Sequence, residues 1–435
     1  MLLFDALGSE VQRAYQTRAA DLPRAMFFGP DAADRLAAAI GDDTSGRHAV
    51  VLFDVRTRAA AGAPSVEALR RHGFVVTECL VPDREGEAPV CDDQTHAWLR
   101  ERVPPSDVLV AVGSGVINDL TKWLAVDAGV PYAAFATASS MNGYASANVA
   151  PKIDGVKSLI AGRAARVVAA DPAVLAAAPH RLTTAGFGDL LAKPVSTADW
   201  ILNHLLFDEP FSPSLASVVD RFEATVFAHP DALVRGEQAA VRSLFEALVL
   251  SGCTMTLHGS SLPASGGEHV ISHTLDMMSD ADGSPHDLHG RQVGVATVVA
   301  AALWERMMQL DAPRFEPVVP PMDPSVWGPA AGAVARQHEA KQSAVAKAHE
   351  KLSRPGSWDA LRTRVSPQLI APSVLRDRLR LADGAWTLSH IGCSRARFLA
   401  ALRHGGAMRG RFTSVDLAHM VGVLPDDALV DRWVA

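Results

Sequence analysis

The sequence predicts an α/β nucleotide-binding domain over residues 1–179, followed by an all-α domain over residues 180–435. Three observations support this prediction. The chain has 435 residues and is longer than a domain with a single hydrophobic core usually is. Hydrophobic residues make up 48% of it, which is enough to form two cores. The first part alternates strand-like with helix-like runs. From about His180 onward, apolar residues recur at helical spacing and β-branched runs become scarce.

The first domain is predicted to contain a mostly parallel sheet covered by helices on both faces. Apolar runs predict strands, and amphipathic runs between them predict helices. The predicted strands are residues 24–28, 49–55, 74–80, 107–112 and 132–136, and the predicted helices are 32–40, 65–72, 93–101 and 117–128. Such regular alternation is typical of buried parallel strands joined by helical crossovers.

The second domain is predicted to be helical. The periodic segments are residues 237–250, 270–278, 293–308, 331–354 and 375–381, with a proline-rich loop at 311–324. No uninterrupted apolar run approaches the roughly 20 residues that a membrane helix needs, so no membrane insertion is expected.

Charge and cysteine content narrow the partners and the compartment. The formal net charge is −7, which argues against nucleic acid or an anionic membrane surface as the main partner. The chain has only four cysteines, and none forms a close CxxC pair. We therefore expect a cytoplasmic protein without a cysteine zinc site.

A glycine-bearing turn joins a predicted strand to a predicted helix. Gly113, Ser114 and Gly115 follow a run of apolar residues and precede Val116 and Ile117. Such a turn lets phosphate oxygens approach backbone N–H groups at a helix N-terminus. The GxGxxG pattern is incomplete because position 118 is Asn, so a plain strand-to-helix turn is the alternative.

Two further features fit a nucleotide site. The loop at residues 136–146 contains four Ser/Thr residues and Asn142, which could bond a ribose, a pyrophosphate or a polyol; a hydrophilic turn is the alternative. Asp54 ends a predicted strand, where a carboxylate would meet a ribose 2′-OH and favour NAD over NADP. Arg56 nearby weakens that inference, and a solvent-exposed Asp is the alternative.

Three separate stretches each offer a ligand for one divalent metal: Asp189 in GFGDLLAK, His269 in GGEHVISH and His289 in HDLHG. One carboxylate and two imidazoles leave a coordination position open, as a catalytic metal requires. His286 competes with His289 for the last position, and the glycine after His289 favours His289. The alternative is a set of unrelated surface or core histidines.

Helical spacing adds candidates around these ligands. His273 lies four residues after His269, so the two share a helix face, and Lys193 has the same relation to Asp189. Lys193, Lys157 and Arg291 could hold a phosphate, or they could be ordinary surface charges.

Taken together, these motifs resemble the glycerol-1-phosphate dehydrogenase family, within the iron-type alcohol dehydrogenases and dehydroquinate synthases. The resemblance rests on GSGVINDLTK, TASSMNGYAS, GFGDLLAK, SLPASGGEHVISH and HGRQVGVAT, which occur in the family's order, and it covers roughly residues 25–425. It implies a dehydroquinate synthase-like architecture and an NAD(P)-linked, metal-dependent dehydrogenase. The implied reaction is reversible hydride transfer between a secondary alcohol and a ketone on a small phosphorylated polyol or related anion.

The resemblance also implies particular site residues. The metal, expected to be Zn²⁺ with Ni²⁺ or Fe²⁺ as alternatives, would bind Asp189, His269 and His289. His273 would relay a proton, and Asp189 and His273 would face the substrate together with Asn142 and Lys193. The cofactor, NAD or NADP, would contact two segments and one further residue: Gly113, Ser114, Gly115, Val116 and Ile117; Thr137, Ala138, Ser139 and Ser140; and Ser146.

Two departures from the family pattern concern the substrate. Asn142 stands where the family has a substrate-contacting aspartate, and Arg291 stands where an acidic residue usually follows the His-Gly pair. We expect them to retune the substrate pocket toward a related anion. Two other functions stay open: a dehydroquinate-synthase-like cyclase that retains NAD, and a nucleotide-binding regulatory protein with a lapsed active site. A homo-oligomer is also expected.

Overall fold

The computed structural model describes residues 5–84, 86–154, 156–424 and 426–435. The chain forms two compact units. The first unit comprises residues 1–186 and 217–260, and the second comprises residues 187–216 and 261–435. The division expected from the sequence lies at residue 179 and assigns residues 217–260 to the helical domain. In the structure this segment packs with the α/β unit.

The first unit is built on a six-stranded sheet. Its strand order is β1-β10-β5-β4-β2-β3, and every pairing in it is parallel. The strands are β1 (Ala25–Phe28), β2 (His48–Phe53), β3 (Val75–Leu80), β4 (Val108–Gly113), β5 (Tyr132–Ala136), β6 (Asn148–Val149), β7 (Lys152–Ile153), β8 (Val156–Lys157), β9 (Ile160–Ala161) and β10 (Val167–Ala170). Strands β6 to β9 form two short antiparallel pairs.

The α-helices belong to both units. Helices α1–α7, α11 and α12 lie in the first unit, α9, α10 and α13–α21 lie in the second, and the unit boundary falls within α8. The first twelve are α1 (Ser9–Tyr15), α2 (Ala32–Asp43), α3 (Val55–Thr57), α4 (Ala63–Arg71), α5 (Asp93–Arg102), α6 (Gly115–Ala128), α7 (Pro172–Ala177), α8 (His180–Leu191), α9 (Lys193–Phe207), α10 (Pro213–Ala216), α11 (Asp231–Val234) and α12 (Gln238–His258). The others are α13 (Gly267–Asp282), α14 (His289–Met308), α15 (Pro324–Trp327), α16 (Ala331–Leu352), α17 (Ser357–Val365), α18 (Pro372–Leu381), α19 (Arg395–His404), α20 (Ser414–Met420) and α21 (Asp427–Trp433).

The core of the first unit explains why its strands are apolar along their whole length. Every residue of β4 and β5 is buried, because helices cover both faces of a parallel sheet. On one face, α2 and α4 contribute Leu36, Ile40 and Leu69 to a cluster with Val51, Phe53 and other apolar strand residues. The predicted α/β class of this unit is confirmed.

The second unit is helical, as predicted. Helix α14 packs against α13, α18 and α20, and most of its residues are buried. The predicted segment 293–308 begins four residues earlier in the structure, at His289, so the helix N-terminus coincides with a candidate metal ligand.

One helix among the described residues has the length and hydropathy of a membrane span. This helix is α12, and 83% of its most apolar 18-residue window is buried inside the protein. Its apolar surface is therefore satisfied by packing, as in the core helix of a folded unit.

Candidate metal centre and nucleotide-binding loops

Asp189, His269 and His289 come together in the second unit. Their potential ligand atoms all lie within 4.8 Å of one another. His269 Nε2 lies 3.3 Å from Asp189 Oδ1, and the His269 and His289 ring centroids are 5.2 Å apart. Asp189 and His269 are buried, and His289 is partly exposed. Three elements thus each bring one donor to a common point: α8, α13 and α14.

Glycines allow the helices that carry these donors to approach closely. A Cβ atom on Gly188 would lie 2.3 Å from the carbonyl oxygen of Gly290 and 3.3 Å from Cα of Gly294. A residue with a side chain at position 188 would therefore push α8 away from α14. Because Asp189 follows Gly188 and His289 precedes Gly290, this backbone contact sets the spacing between two of the donors.

The Nδ1 atom of each of the two histidines lies close to another side chain. His269 Nδ1 lies 2.7 Å from Glu268 Oε1, which also accepts a hydrogen bond from the Gly266 N–H. His289 Nδ1 lies 3.3 Å from the Ser272 hydroxyl. This arrangement leaves Nε2 of each ring for a metal, which is the usual outer-sphere pattern around metal-binding histidines.

The electrostatics of this cluster suit a cation. Burial alone would lower the pKa of His269, but hydrogen bonds to Asp189 and Glu268 outweigh burial and raise it to about 9. The imidazole therefore sits between two carboxylates that favour positive charge. A divalent ion would supply that charge, and one carboxylate with two imidazoles is a donor set that Zn²⁺, Ni²⁺ and Fe²⁺ accept. The described residues fit the metal.

His273 and His286 lie beside the first set without belonging to it. The His273 ring stacks on His289, with centroids 5.0 Å apart and an interplanar angle of 23°. His286 Nδ1 lies 3.4 Å from Asp276 Oδ1. Of the two histidines that competed for the third ligand position in the sequence, the structure places His289 next to Asp189 and His269.

A buried aspartate ties together two of the three helices that carry the donors, and sequence reasoning gave it no role. Asp199 of α9 accepts a 2.6 Å hydrogen bond from the Gly267 N–H, at the start of α13. It also accepts from Trp304 Nε1 of α14 at 3.1 Å and from the backbone and hydroxyl of Ser414. Burial and the nearby Glu268 raise the pKa of Asp199 to about 7, against the lowering effect of the Ser414 and Gly267 bonds.

The cations proposed for phosphate binding have structural partners. Lys193 is buried and donates to the carbonyl of Pro263 at 2.6 Å. Arg291 forms a 2.7 Å ion pair with Asp287 and donates to the carbonyl of His390. The guanidinium of Arg291 is thus already neutralised and anchored, and the structure does not support the interpretation that this position adds a free positive charge. The side chain of Lys157 lies outside the described residues.

In the first unit, the glycine turn has the predicted form. Strand β4 ends at Gly113, Ser114 is the N-cap residue and α6 begins at Gly115. A Cβ on Gly113 would lie 2.6 Å from Cβ of Ile117, so this position requires glycine, whereas one on Gly115 would meet no atom within 4 Å. The backbone at the start of a 14-residue helix is therefore approachable, as phosphate binding needs.

The second predicted cofactor loop lies directly beside this turn. Because β4 and β5 are neighbours, Thr137 follows β5 at the same sheet edge, and its N–H donates to the carbonyl of Gly113 at 3.1 Å. Tyr144 also joins the two loops through hydrogen bonds to Gly113 and Ala138. Ser139 is buried and Ser140 is partly exposed.

A buried lysine that sequence reasoning overlooked holds the end of this loop. Lys122 of α6 is fully buried and donates to the carbonyls of Gly143 and Asn148 at 2.8 and 2.9 Å. The hydroxyl of Ser146 also donates toward these carbonyls, while Asn142 is partly exposed. The three-residue spacing between Asp119 and Lys122 was the available sequence signal, since the two form an ion pair.

Asp54 follows β2, at the same edge of the sheet as the two loops. Its Oδ1 accepts a 2.8 Å hydrogen bond from the Thr57 N–H and caps α3. Arg56 Nε lies 3.5 Å from Asp54 Oδ2, but its terminal nitrogens bind Asp83. Neighbouring strands thus place Asp54, the glycine turn and the Thr137 loop along one edge, where α/β sheets bind nucleotides.

Comparison with known proteins agrees with this architecture. Residues 27–179 match the model of the family described as iron-containing alcohol dehydrogenase. A probable glycerol dehydrogenase from Sinorhizobium meliloti has the same fold, with a TM-score of 0.59 and 18% identity over 94% of this chain and 98% of that one. The fold is therefore that of the iron-type alcohol dehydrogenases.

Sequence comparison narrows the class further. The glycerol-1-phosphate dehydrogenase [NAD(P)+] of Bacillus subtilis is 29% identical over 416 residues, covering 94% of this chain and 95% of the relative. The enzyme of the same name from Geobacillus stearothermophilus is 33% identical over 310 residues, covering 71% of this chain and 76% of the relative. The chain belongs to the glycerol-1-phosphate dehydrogenase family.

Proposed function

We propose that this protein is a metal-dependent, NAD(P)-linked dehydrogenase of the glycerol-1-phosphate dehydrogenase type. It would interconvert a secondary alcohol and a ketone on glycerol 1-phosphate or a closely related phosphorylated polyol. The observation that carries the proposal is the convergence of Asp189, His269 and His289 in a chain of this family. The proposed metal-assisted reaction needs these three donors, because they are the residues that would hold the metal ion.

The metal would be held by these three residues, with Zn²⁺ proposed first and Ni²⁺ or Fe²⁺ as alternatives. When bound, it supplies Lewis-acid polarisation of the substrate oxygen. Glu268 and Ser272, which lie next to Nδ1 of the two imidazoles, would hold the rings in the orientation that presents Nε2 to the ion.

His273 is the residue that we propose handles the proton. It lies one helical turn after His269 on α13, and its ring stacks on that of His289. An imidazole exchanges protons near neutral pH, so His273 can take the proton of the substrate hydroxyl during oxidation and return it during reduction.

The nucleotide would bind at the edge of the sheet in the first unit. The glycine turn at Gly113 and Gly115 offers approachable N–H groups for the pyrophosphate, and Thr137, Ser139 and the residues around them would contact the cofactor beside it. The nicotinamide supplies hydride chemistry, and the protein holds and orients it. Asp54 favours NAD because a carboxylate repels a 2′-phosphate.

In the second unit, the residues that we propose contact the substrate are Asp189, Lys193 and His273. Asn142 is the position at which we propose a changed substrate preference, because an asparagine amide accepts hydrogen bonds with its oxygen and donates them with its NH2 group, whereas a carboxylate only accepts. A site built for a given hydroxyl can discriminate by orders of magnitude, so this single change suffices to alter specificity.

The testing experiment is a reduction assay with dihydroxyacetone phosphate and either NADH or NADPH, on metal-depleted protein and on protein reloaded with Zn²⁺, Ni²⁺ or Fe²⁺. We expect metal-dependent turnover with steady release of oxidised cofactor. A cyclase that retains NAD would release none, and a lapsed site would bind no metal. If the wild type reduces this ketone at about 10 per second, an ordinary enzymatic rate, the proposed retuning at Asn142 is wrong and the plain family activity stands.

We propose further that the protein works in the cytoplasm as a homo-oligomer on a small anionic substrate. The proposed cytoplasmic location is supported by the four cysteines, none of which forms a disulfide. Sedimentation of the purified protein tests the oligomeric state.

A further inference from the structure

A second set of metal-ligand side chains lies next to the first. His273, Asp276 and His289 place their potential ligand atoms within 4.8 Å of one another. His273 and Asp276 are three residues apart on α13, so both face α14, where His289 is the first residue. The donors are again one carboxylate and two imidazoles, so the chemistry that fits a divalent ion at the first set fits it here too.

The carboxylate of this second set is held in an environment that favours a cation. Asp276 is buried, with a relative exposure of 5%, and burying a carboxylate is costly unless positive charge accompanies it. His286, whose side chain is 46% exposed, has Nδ1 at 3.4 Å from Asp276 Oδ1. A histidine that is open to solvent thus lies beside the buried carboxylate, on the outer side of the cluster.

The two sets share His289, and this limits how an ion can use them. If both draw on the same ring nitrogen, one ion occupies either the first set or the second. Ser272 engages Nδ1 of His289, which leaves Nε2 as the common donor. The first set also has Glu268 behind His269, which strengthens that ligand. The second set is the more exposed of the two, because His273 and His289 are both partly exposed.

We propose that His273, Asp276 and His289 form an alternative binding position for the divalent ion that the first set holds in the active enzyme. This inference rests on the proposed function. An ion in the alternative position occupies His273, the group that would handle the proton, so it is an inactive position from which the ion reaches Asp189 and His269. The sharing of His289 makes the exchange a shift between neighbouring sites rather than a release into solvent.

The test removes the first set and asks whether a metal still binds. We would prepare Asp189→Asn/His269→Ala, which leaves the second set intact, and the same variant with Asp276→Asn added. Equilibrium dialysis against Zn²⁺, with metal measured by mass spectrometry, gives the content and affinity of each. The double variant should bind about one ion per chain, with affinity on the order of 10- to 100-fold below wild type, and Asp276→Asn should lower it by a further factor of at least about ten.

A matched control is Asp280→Asn in place of Asp276→Asn. Asp280 lies one turn further along α13 and belongs to neither ligand set. This substitution should leave the metal content of the double variant unchanged. Equal loss with Asp280→Asn and Asp276→Asn would overturn the proposal, as would a double variant that binds no more Zn²⁺ than the triple variant.

A second measurement is used if circular dichroism shows that the double variant does not fold. The single variant Asp189→Asn is loaded with Co²⁺, whose visible absorption reports the ligands. Adding Asp276→Asn should change that spectrum, and an unchanged spectrum contradicts the alternative position. Failure here is distinct from failure of the proposed function: wild-type protein that binds no metal overturns both, whereas wild-type binding without binding in the variants overturns only this inference.

Discussion

Replacing Gly188 with alanine should separate two of the metal donors while changing only one methyl group. An alanine Cβ would lie 2.3 Å from the carbonyl oxygen of Gly290, whereas ordinary contact begins at 3.4 Å. The obstacle is backbone and cannot rotate away, so α8 and α14 must move apart by about 1 Å. Asp189 and His289 move with them, because each is adjacent in sequence to this contact.

The magnitude follows from two opposing effects. Alanine in a helix interior is favoured over glycine by about 0.5–1 kcal/mol. Overpacking a tight contact costs about 1–3 kcal/mol, and an immobile backbone partner favours the upper end. We therefore expect Gly188→Ala to lower the free energy of unfolding by about 2 kcal/mol. Metal–ligand distances tolerate only about 0.2 Å, so metal affinity should fall at least about tenfold.

The assays are urea unfolding and competition of the protein with a chelator for Zn²⁺. Gly332→Ala is the matched control, because Gly332 also lies in a helix of the second unit and a Cβ there meets no atom within 4 Å. That substitution should be neutral or stabilising by up to about 1 kcal/mol, with metal affinity unchanged. If Gly188→Ala unfolds at the same urea concentration as wild type and keeps its metal affinity, the argument from close helix contact is refuted.

The other predictions concern an ion pair, the cofactor, the substrate and a buried lysine. Arg291→Gln should lower the free energy of unfolding by about 3 kcal/mol, because it leaves the buried Asp287 without its ion-pair partner. The KM for dihydroxyacetone phosphate should stay within about twofold of wild type, and a much larger KM would show that Arg291 binds the anionic substrate after all. Wild type should have a higher kcat/KM with NAD than with NADP, and Asp54→Asn should narrow the difference; equal efficiency in wild type would contradict this. Asn142→Asp should raise activity on dihydroxyacetone phosphate relative to wild type, and a decrease would count against retuning. Lys341 of α16 forms a 2.6 Å ion pair with Asp416, and both side chains are buried. Lys341→Met should therefore lower the free energy of unfolding in urea by about 3 kcal/mol, and a loss below about 1 kcal/mol would contradict this.

Much of the fold could be predicted from local sequence patterns. The features that could not be predicted depend on pairing between segments that are distant in sequence. Five strands of the sheet were predicted to within two residues at either end. Strand β10 (Val167–Ala170) was not, although it lies inside the sheet, between β1 and β5. Four apolar residues form too short a run to distinguish from a loop or helix, and parallel neighbours are remote in sequence. The packing of residues 217–260 with the first unit could not be predicted either, because it depends on contacts with segments that are remote in sequence.

The site divides in a similar way. The sequence motifs predicted Asp189, His269 and His289 as metal ligands, and the structure places these side chains together. Their role as metal ligands stays a prediction. The residues that hold the rings, such as Glu268 and Ser272, depend on how helices pack and could not be inferred from spacing. Arg291 shows a different limit. Its positive charge is visible in the sequence, but its pairing with Asp287 depends on where α14 begins.

The most direct test of the central claim is the metal content and activity of His269→Ala beside His349→Ala. His349 lies on α16, outside both ligand sets. We predict that, after dialysis against a chelator weak enough to leave the wild-type ion in place, wild type and His349→Ala hold about one divalent ion per chain and reduce dihydroxyacetone phosphate or a related ketone. His269→Ala should keep its circular dichroism spectrum but lose its ion to the chelator and have no activity, because any ion left at the second set binds more weakly. Full metal content and activity in His269→Ala would contradict the account.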